Sequence, residues 1–159
     1  MGLFSGYSTD EERPLAAYAL LALVFNTGFV ASLVAAKRRG HLPLHVSLTE
    51  LLVLGAATQK LSRLLAKDRV TSFFRAPFTE YQEPGGPGEV EEKPRGHGLQ
   101  LALGELLVCP YCLGQWVAAG FVAGSMMAPR TTRAVASVFA ALSAADLLQL
   151  AYKAAEERA

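Results

Sequence analysis

Apolar residues in this chain fall in long runs, and the polar ones gather between them. From Pro14 to Ala36 the sequence PLAAYALLALVFNTGFVASLVAA carries no charge. At about 1.5 Å per residue such a helix reaches roughly 35 Å, enough to cross a bilayer. Pro14 suits a first helical turn, where its missing N–H loses no bond, and Lys37-Arg38-Arg39-Gly40 makes a basic stop. Leu42 to Lys67 is a second, more mixed helical pattern. On a helical wheel His45, Thr49, Lys60, Arg63 and Lys67 share one side, with Leu44, Leu48, Leu51, Leu54, Leu61 and Leu65 opposite. The pattern fits an interfacial helix or a spanning one over about 44–66 whose charges face other helices. Spanning is favoured, because the leucines offset a cost of about 2.5–3.5 kcal/mol for a charge near the bilayer centre.

Asp68 to Phe78 (DRVTSFFRAPF) mixes aromatics with Arg69 and Arg75, as either a membrane-surface segment or a packed loop would. Glu80 to Gly98 (EYQEPGGPGEVEEKPRGHG) has little to bury and predicts a mobile hydrophilic loop over 79–98, with no functional residues. Leu99 to Ala128 is apolar but longer than one span needs. It predicts a helical lead-in to Val108, a break at Cys109-Pro110, and a span over about 111–128. Pro129 and Arg130 close that span, and an alanine-rich helix over 131–152 follows. The fold class expected is therefore all-α: one integral membrane domain over 1–159, a bundle of three to four spanning helices with a Pro/Gly/Glu-rich cytoplasmic loop.

Composition supports the membrane reading. Hydrophobic residues make up 52% and charged ones 18%, more apolar and less charged than a typical soluble domain. The net charge of +1, with no basic block, argues against nucleic acid as a partner. Partners are then the lipid bilayer and a second copy or other membrane proteins. Asp10, Glu11 and Glu12 against a single Arg13 do not make the basic start of a secretory signal, so the first apolar run is expected to stay in the mature protein. Lys60 to Arg95 holds seven of the fifteen Lys and Arg, which favours the cytoplasm for that region, for the C-terminus and for the cysteines. If 44–66 spans, Lys37 to Arg39 falls outside, against the same rule.

Helices in lipid associate through close packing and polar contacts. Gly120 and Gly124 form a Gly-xxx-Gly pair, and Ala136, Ala140 and Ala144 repeat every fourth residue. These stripes predict that the last two helices pack together, with a dimer interface as the alternative. Glu50, Lys60, Arg63, Glu105 and Asp146 are ionisable groups in or near apolar helices. Glu50, Glu105 and Asp146 would line a hydrated path, as in a small channel, holin-like protein or transporter, or the charges would pair: Lys60 or Arg63 with Glu105 or Asp146, the preferred reading.

Cys109-Pro110-Tyr111-Cys112 is the one constellation with evident chemistry. The spacing allows a disulfide across the first turn of a helix, whose N-terminus stabilises a thiolate. It also suits zinc, where no other cofactor is expected: one chain offers the two cysteines and His97, and a second copy would complete a four-cysteine site. The third and preferred alternative is that two small thiols simply pack. The tetrapeptide resembles the active-site sequence of glutaredoxins, but the strand and helix alternation of that fold is absent. No nucleotide-binding loop or hydrolase triad stands out, so the chain reads as non-enzymatic.

Two stretches together, KLSRLLAKDRVTSFFRAPF at 60–78 and GELLVCPYCLGQWVA at 104–118, resemble the bacterial membrane-protein family known as domain of unknown function 1360. The resemblance covers roughly 50–152, and the first helix extends beyond it. It implies motif positions Arg63, Asp68, Thr71, Arg75, Pro77, Cys109, Cys112, Gly114 and Trp116, an inner-membrane location and a spanning second helix. It further implies one cytoplasm-facing site that joins the cysteines to Arg63 and Arg75, and brings no established activity. The role expected is a scaffold or regulatory component, with a membrane thiol-redox or zinc protein as the alternative.

Overall fold

The computed structural model describes residue 7, residues 13–43 and residues 45–158. Asp10, Glu11, Glu12 and the wheel position Leu44 lie outside them. The elements run α1 (Leu15–Arg38), α2 (Leu48–Lys67), α3 (Ser72–Arg75), β1 (Thr79–Pro84), β2 (Val90–Pro94), α4 (Gly98–Val108), α5 (Pro110–Met127) and α6 (Pro129–Glu156).

Local chemistry explains most of the boundaries. The Pro14 carbonyl accepts from the Ala17 and Tyr18 amides at 2.9 and 3.0 Å, starting α1. At its other end Gly40 adopts φ 68°, and His41 N–H returns to the Ala36 carbonyl at 2.9 Å, closing the helix behind Lys37 and Arg38. Ser47 caps α2 by accepting from the Glu50 amide at 3.2 Å, the Ser-x-x-Glu arrangement of a capping box. Pro110 and Pro129 each occupy the first turn of a helix, where no amide hydrogen is needed. Cys109 has an extended backbone and lets α4 meet α5 at 84°.

α2 packs against both α5 and α6, which also touch each other, while α1 lies on α4 and α5. Ala57, Phe121 and Ala136 form the buried centre, with Val53, Leu54, Leu61, Val117 and Phe139 around it. The last two helices pack together as their small residues predict, but only part of each stripe lies in the contacts. Ala136 is buried, but Ala144 is exposed, and open space adjoins Gly120. A strict four-residue repeat turns by about 40° per step on a helix of 3.6 residues per turn, so the alanines wind away from the contact. The packed face instead includes Ala136, Phe139, Ser143 and Asp146. Gly124 does sit at the seam: a Cβ there would come within 2.6 Å of Thr132 Oγ1.

Two helices, α1 and α6, are long and apolar enough to cross a membrane, and a third span results if the bent α4–α5 pair counts as one. The protein is mostly helical, with one correction. Residues 79–94, expected to be part of a mobile loop, form an antiparallel β-hairpin. Gly85-Gly86-Pro87-Gly88 turns it, with Gly88 at φ 79° and the Glu89 amide donating to the Gly86 carbonyl at 2.9 Å. The turn docks on the end of α2, where the Arg69 amide donates to the Gly88 carbonyl at 2.9 Å. α4 covers β2, and Gly104 admits the Phe78 carbonyl and Pro94 so closely that a Cβ would collide with them. Docking, and not apolar content, orders this polar segment.

Candidate functional site

The C-terminal turn of α2 leaves carbonyls without helical partners, as every helix end does. Arg75 meets them from below. Its side chain is 0% exposed, and each of its nitrogens donates: Nε to Glu92 Oε2 at 2.6 Å, one terminal nitrogen to the Leu65 carbonyl at 2.7 Å and Thr71 Oγ1 at 2.8 Å, the other to the Asp68 carbonyl at 3.0 Å. Thr71 donates to the Leu64 carbonyl at 2.7 Å, and Thr79 to the Arg75 carbonyl at 2.9 Å. The Asp68 carboxylate accepts from the Val70 amide at 2.8 Å and shapes the turn between α2 and α3. Arg75, Thr71 and Asp68 thus form a capping knot, closed by Glu92 from the hairpin. A guanidinium engaged on every nitrogen holds structure and is not presented to a ligand.

The rest of the charged face of α2 is also paired. Arg63 makes a two-pronged contact with Glu89 at 2.7 and 2.8 Å, and Lys67 meets Glu91 at 2.6 Å. One turn earlier Lys60 meets Asp146 of α6 at 2.6 Å, beside a 3.1 Å hydrogen bond from Ser143 to Gln59. Glu105 meets neither Lys60 nor Arg63. It accepts from the Tyr18 hydroxyl and lies 3.6 Å from Arg13, tying α4 to the start of α1. Glu50 sits at the opposite end of α2, lining a cavity of about 280 Å³ with Ser47, Ser125 and Arg133.

Cys109 and Cys112 are joined as a disulfide across the first turn of α5, with their Cα atoms 5.2 Å apart. Cys109 Sγ accepts from the Cys112 amide at 3.2 Å. Cys112 is exposed and the neighbouring Tyr111 is 92% exposed. As a disulfide the pair offers no thiolate to a metal. Among the described residues no three His, Cys, Asp or Glu side chains converge as a metal site needs. Trp116 packs edge-on against Phe25 of α1, ring centres 5.1 Å apart.

The positions that the family resemblance grouped therefore divide. Asp68, Thr71 and Arg75 come together under α2, Arg63 joins the hairpin turn, Trp116 binds α1, and the cysteines mark the α4–α5 corner. Glu89, Glu91 and Glu92 were missed by sequence reasoning. Their signal was a pair of short runs, TEYQE and VEEKP, on either side of a Gly-Gly-Pro-Gly turn, a spacing that suits a hairpin.

No curated protein and no solved structure matches the chain. Residues 53–152, from the middle of α2 to the last turns of α6, match the family described as Protein of unknown function (DUF1360). The buried centre shared by α2, α5 and α6, the capping knot and the cysteine corner fall within that range, α1 lies outside it, and the chain belongs to this family.

Proposed function

We propose that this is a multi-pass protein of the bacterial inner membrane with four spans, α1, α2, α5 and α6, that serves as a non-enzymatic regulatory or scaffold component. The observation that carries the reading is the pairing of the polar residues of its helices with one another. Lys60 pairs with Asp146 of α6, and Arg63 and Lys67 at the end of α2 pair with Glu89 and Glu91 of the hairpin, so three of the four charged residues of α2 are matched. Paired charges facing other helices are how a bilayer tolerates them. Such pairs join elements and are not held open for a substrate.

Contacts give the ends of the bundle. The start of α1 meets α4, and the end of α2 meets the hairpin, so these form one end together with the cysteine corner. The start of α2, the end of α5 and the start of α6 share the other. Lys37, Arg38, Arg39, Arg130 and Arg133 fall at this second end, and the other ten of the fifteen Lys and Arg at the first. Acidic residues weigh little in the positive-inside rule. The first end, with the hairpin, the cysteines, the start of α1 and the end of α6, is therefore assigned to the cytoplasm despite Lys37 to Arg39 outside.

Alkaline phosphatase and fluorescent-protein fusions test the topology. Phosphatase activity is expected for fusions at Gly40 and Ala128, and fluorescence for fusions at Gly86 and the C-terminus. Cytoplasmic Gly40 would remove α2 from the spans. Crosslinking in native membranes tests the role. Capture of a second copy or another membrane protein is expected, and a lone monomer would overturn the scaffold reading.

A further inference from the structure

We propose that Cys109 and Cys112 form a thiol–disulfide exchange site whose co-substrates are thiols, a function beyond the scaffold role above. The disulfide is dispensable for shape. Pro110 already starts α5, and α1 already holds the corner from both sides, through Tyr18 with Glu105 on α4 and Phe25 with Trp116 on α5. A bridge between residues three apart closes a very short loop, and short loops constrain an unfolded chain least. It is also accessible, because Cys112 stands at the surface.

The two sulfurs differ in a way that assigns their roles. Cys112 is exposed, whereas Cys109 is half-buried and accepts the Cys112 amide hydrogen at 3.2 Å. An incoming thiolate attacks Cys112 Sγ, a new S–S bond forms there, and the Cys109–Cys112 bond breaks. The electron pair leaves on Cys109 as thiolate, held by the Cys112 amide and by the positive end of the eighteen-residue α5. A second thiol attacks the mixed disulfide and releases Cys112. In total, the protein disulfide and two thiols give the protein dithiol and one external disulfide, with two electrons and two protons transferred to the cysteines. In a reducing compartment a disulfide that forms at all is of this exchanging kind. The compartment rests on the topology proposed above, and the chemistry does not.

The test uses the full chain purified in detergent, equilibrated in buffers of reduced and oxidised glutathione, quenched with acid and tagged with a thiol-reactive polymer. Both thiols are expected to appear together in one two-electron transition while the protein keeps its helical signal. When the oxidised wild-type protein is exposed to reduced glutathione and quenched with acid, peptide mass spectrometry should place the trapped glutathione adduct on Cys112 at least tenfold more often than on Cys109. Reduction of the native protein by dithiothreitol but not by glutathione would also support exchange, and would identify vicinal dithiols as the co-substrate class. Thiols that stay reduced at every ratio, a disulfide reducible only after denaturation, or stoichiometric zinc that blocks tagging would overturn it. Labelling of wild-type thiols in intact cells by a membrane-impermeant maleimide would overturn the cytoplasmic assignment alone.

Discussion

Lys60 Nζ lies 2.6 Å from Asp146 Oδ2, linking α2 to α6 across 86 positions of sequence. The pair is only partly screened from solvent, and Ser143 to Gln59 supports it one turn away along α6. It sits on the contact by which α2 joins one of the two helices most suited to crossing a membrane.

Removing either partner strands the other charge between helices. Lys60→Met and Asp146→Leu are each expected to destabilise the bundle, while the double variant loses less than the sum. A coupling of about 0.5–1.5 kcal/mol is expected from a double-mutant cycle followed by reversible unfolding in mixed micelles. Strict additivity would remove the pair from the account of how α2 is held.

Arg75 presents a larger dependence, because its loss leaves the Glu92 carboxylate buried and the Leu65 and Asp68 carbonyls unmet. Arg75→Ala should cost about 3–5 kcal/mol. Arg75→Lys should rescue little, since an ammonium cannot reproduce the planar fork that reaches Glu92 and two carbonyls at once. Limited proteolysis within residues 79–94 gives the readout: the hairpin should be cut in both variants and resist in the wild type.

The glycines should separate sharply. Gly104→Ala places a methyl group against the Phe78 backbone carbonyl, which cannot move without lifting the hairpin from α4. The expected result is loss of folded protein on size exclusion. Gly124→Ala meets only the Thr132 side chain and should cost about 1–3 kcal/mol, with recovery in Gly124→Ala/Thr132→Ala. Gly120→Ala faces open space and should be tolerated.

The alanines of α6 give a parallel contrast. Ala136 is wholly buried against α2 and α5, so Ala136→Leu should overpack the centre by about 1–3 kcal/mol. Ala144 is exposed, and Ala144→Leu should change stability by less than about 0.5 kcal/mol. Equal thermal shifts for the two would mean that the four-residue repeat is the packed seam after all.

Of the candidate site, the cysteine corner was the most legible, because everything that builds it is contiguous: Pro110 opens α5, Cys109 caps it, and Cys112 is one turn away. The arginines were legible as unusual but not as to their use. Nothing near Arg75 in sequence announces Glu92, seventeen positions on, and nothing near Arg63 announces Glu89, twenty-six positions on. The hairpin was misread for the same reason. Its strands bury little of their own, and the low apolar content that marks disorder in isolation is offset here by docking on α2 and α4.

The sequence by itself determined that the chain is predominantly helical and set most helix ends to within a few residues, although α2 begins at Leu48 and not near 44, and α6 already at Pro129. Those features depend on bonds between residues four apart, on prolines and glycines at the ends, and on apolar runs long enough to leave water. Tertiary structure alone decided that α2 lies against both α5 and α6, that Asp146 and not Glu105 answers Lys60, and that an acidic hairpin closes under Arg75. A charge is satisfied by whichever opposite charge the fold brings within about 3 Å, and that proximity is a property of the folded chain, not of neighbouring residues.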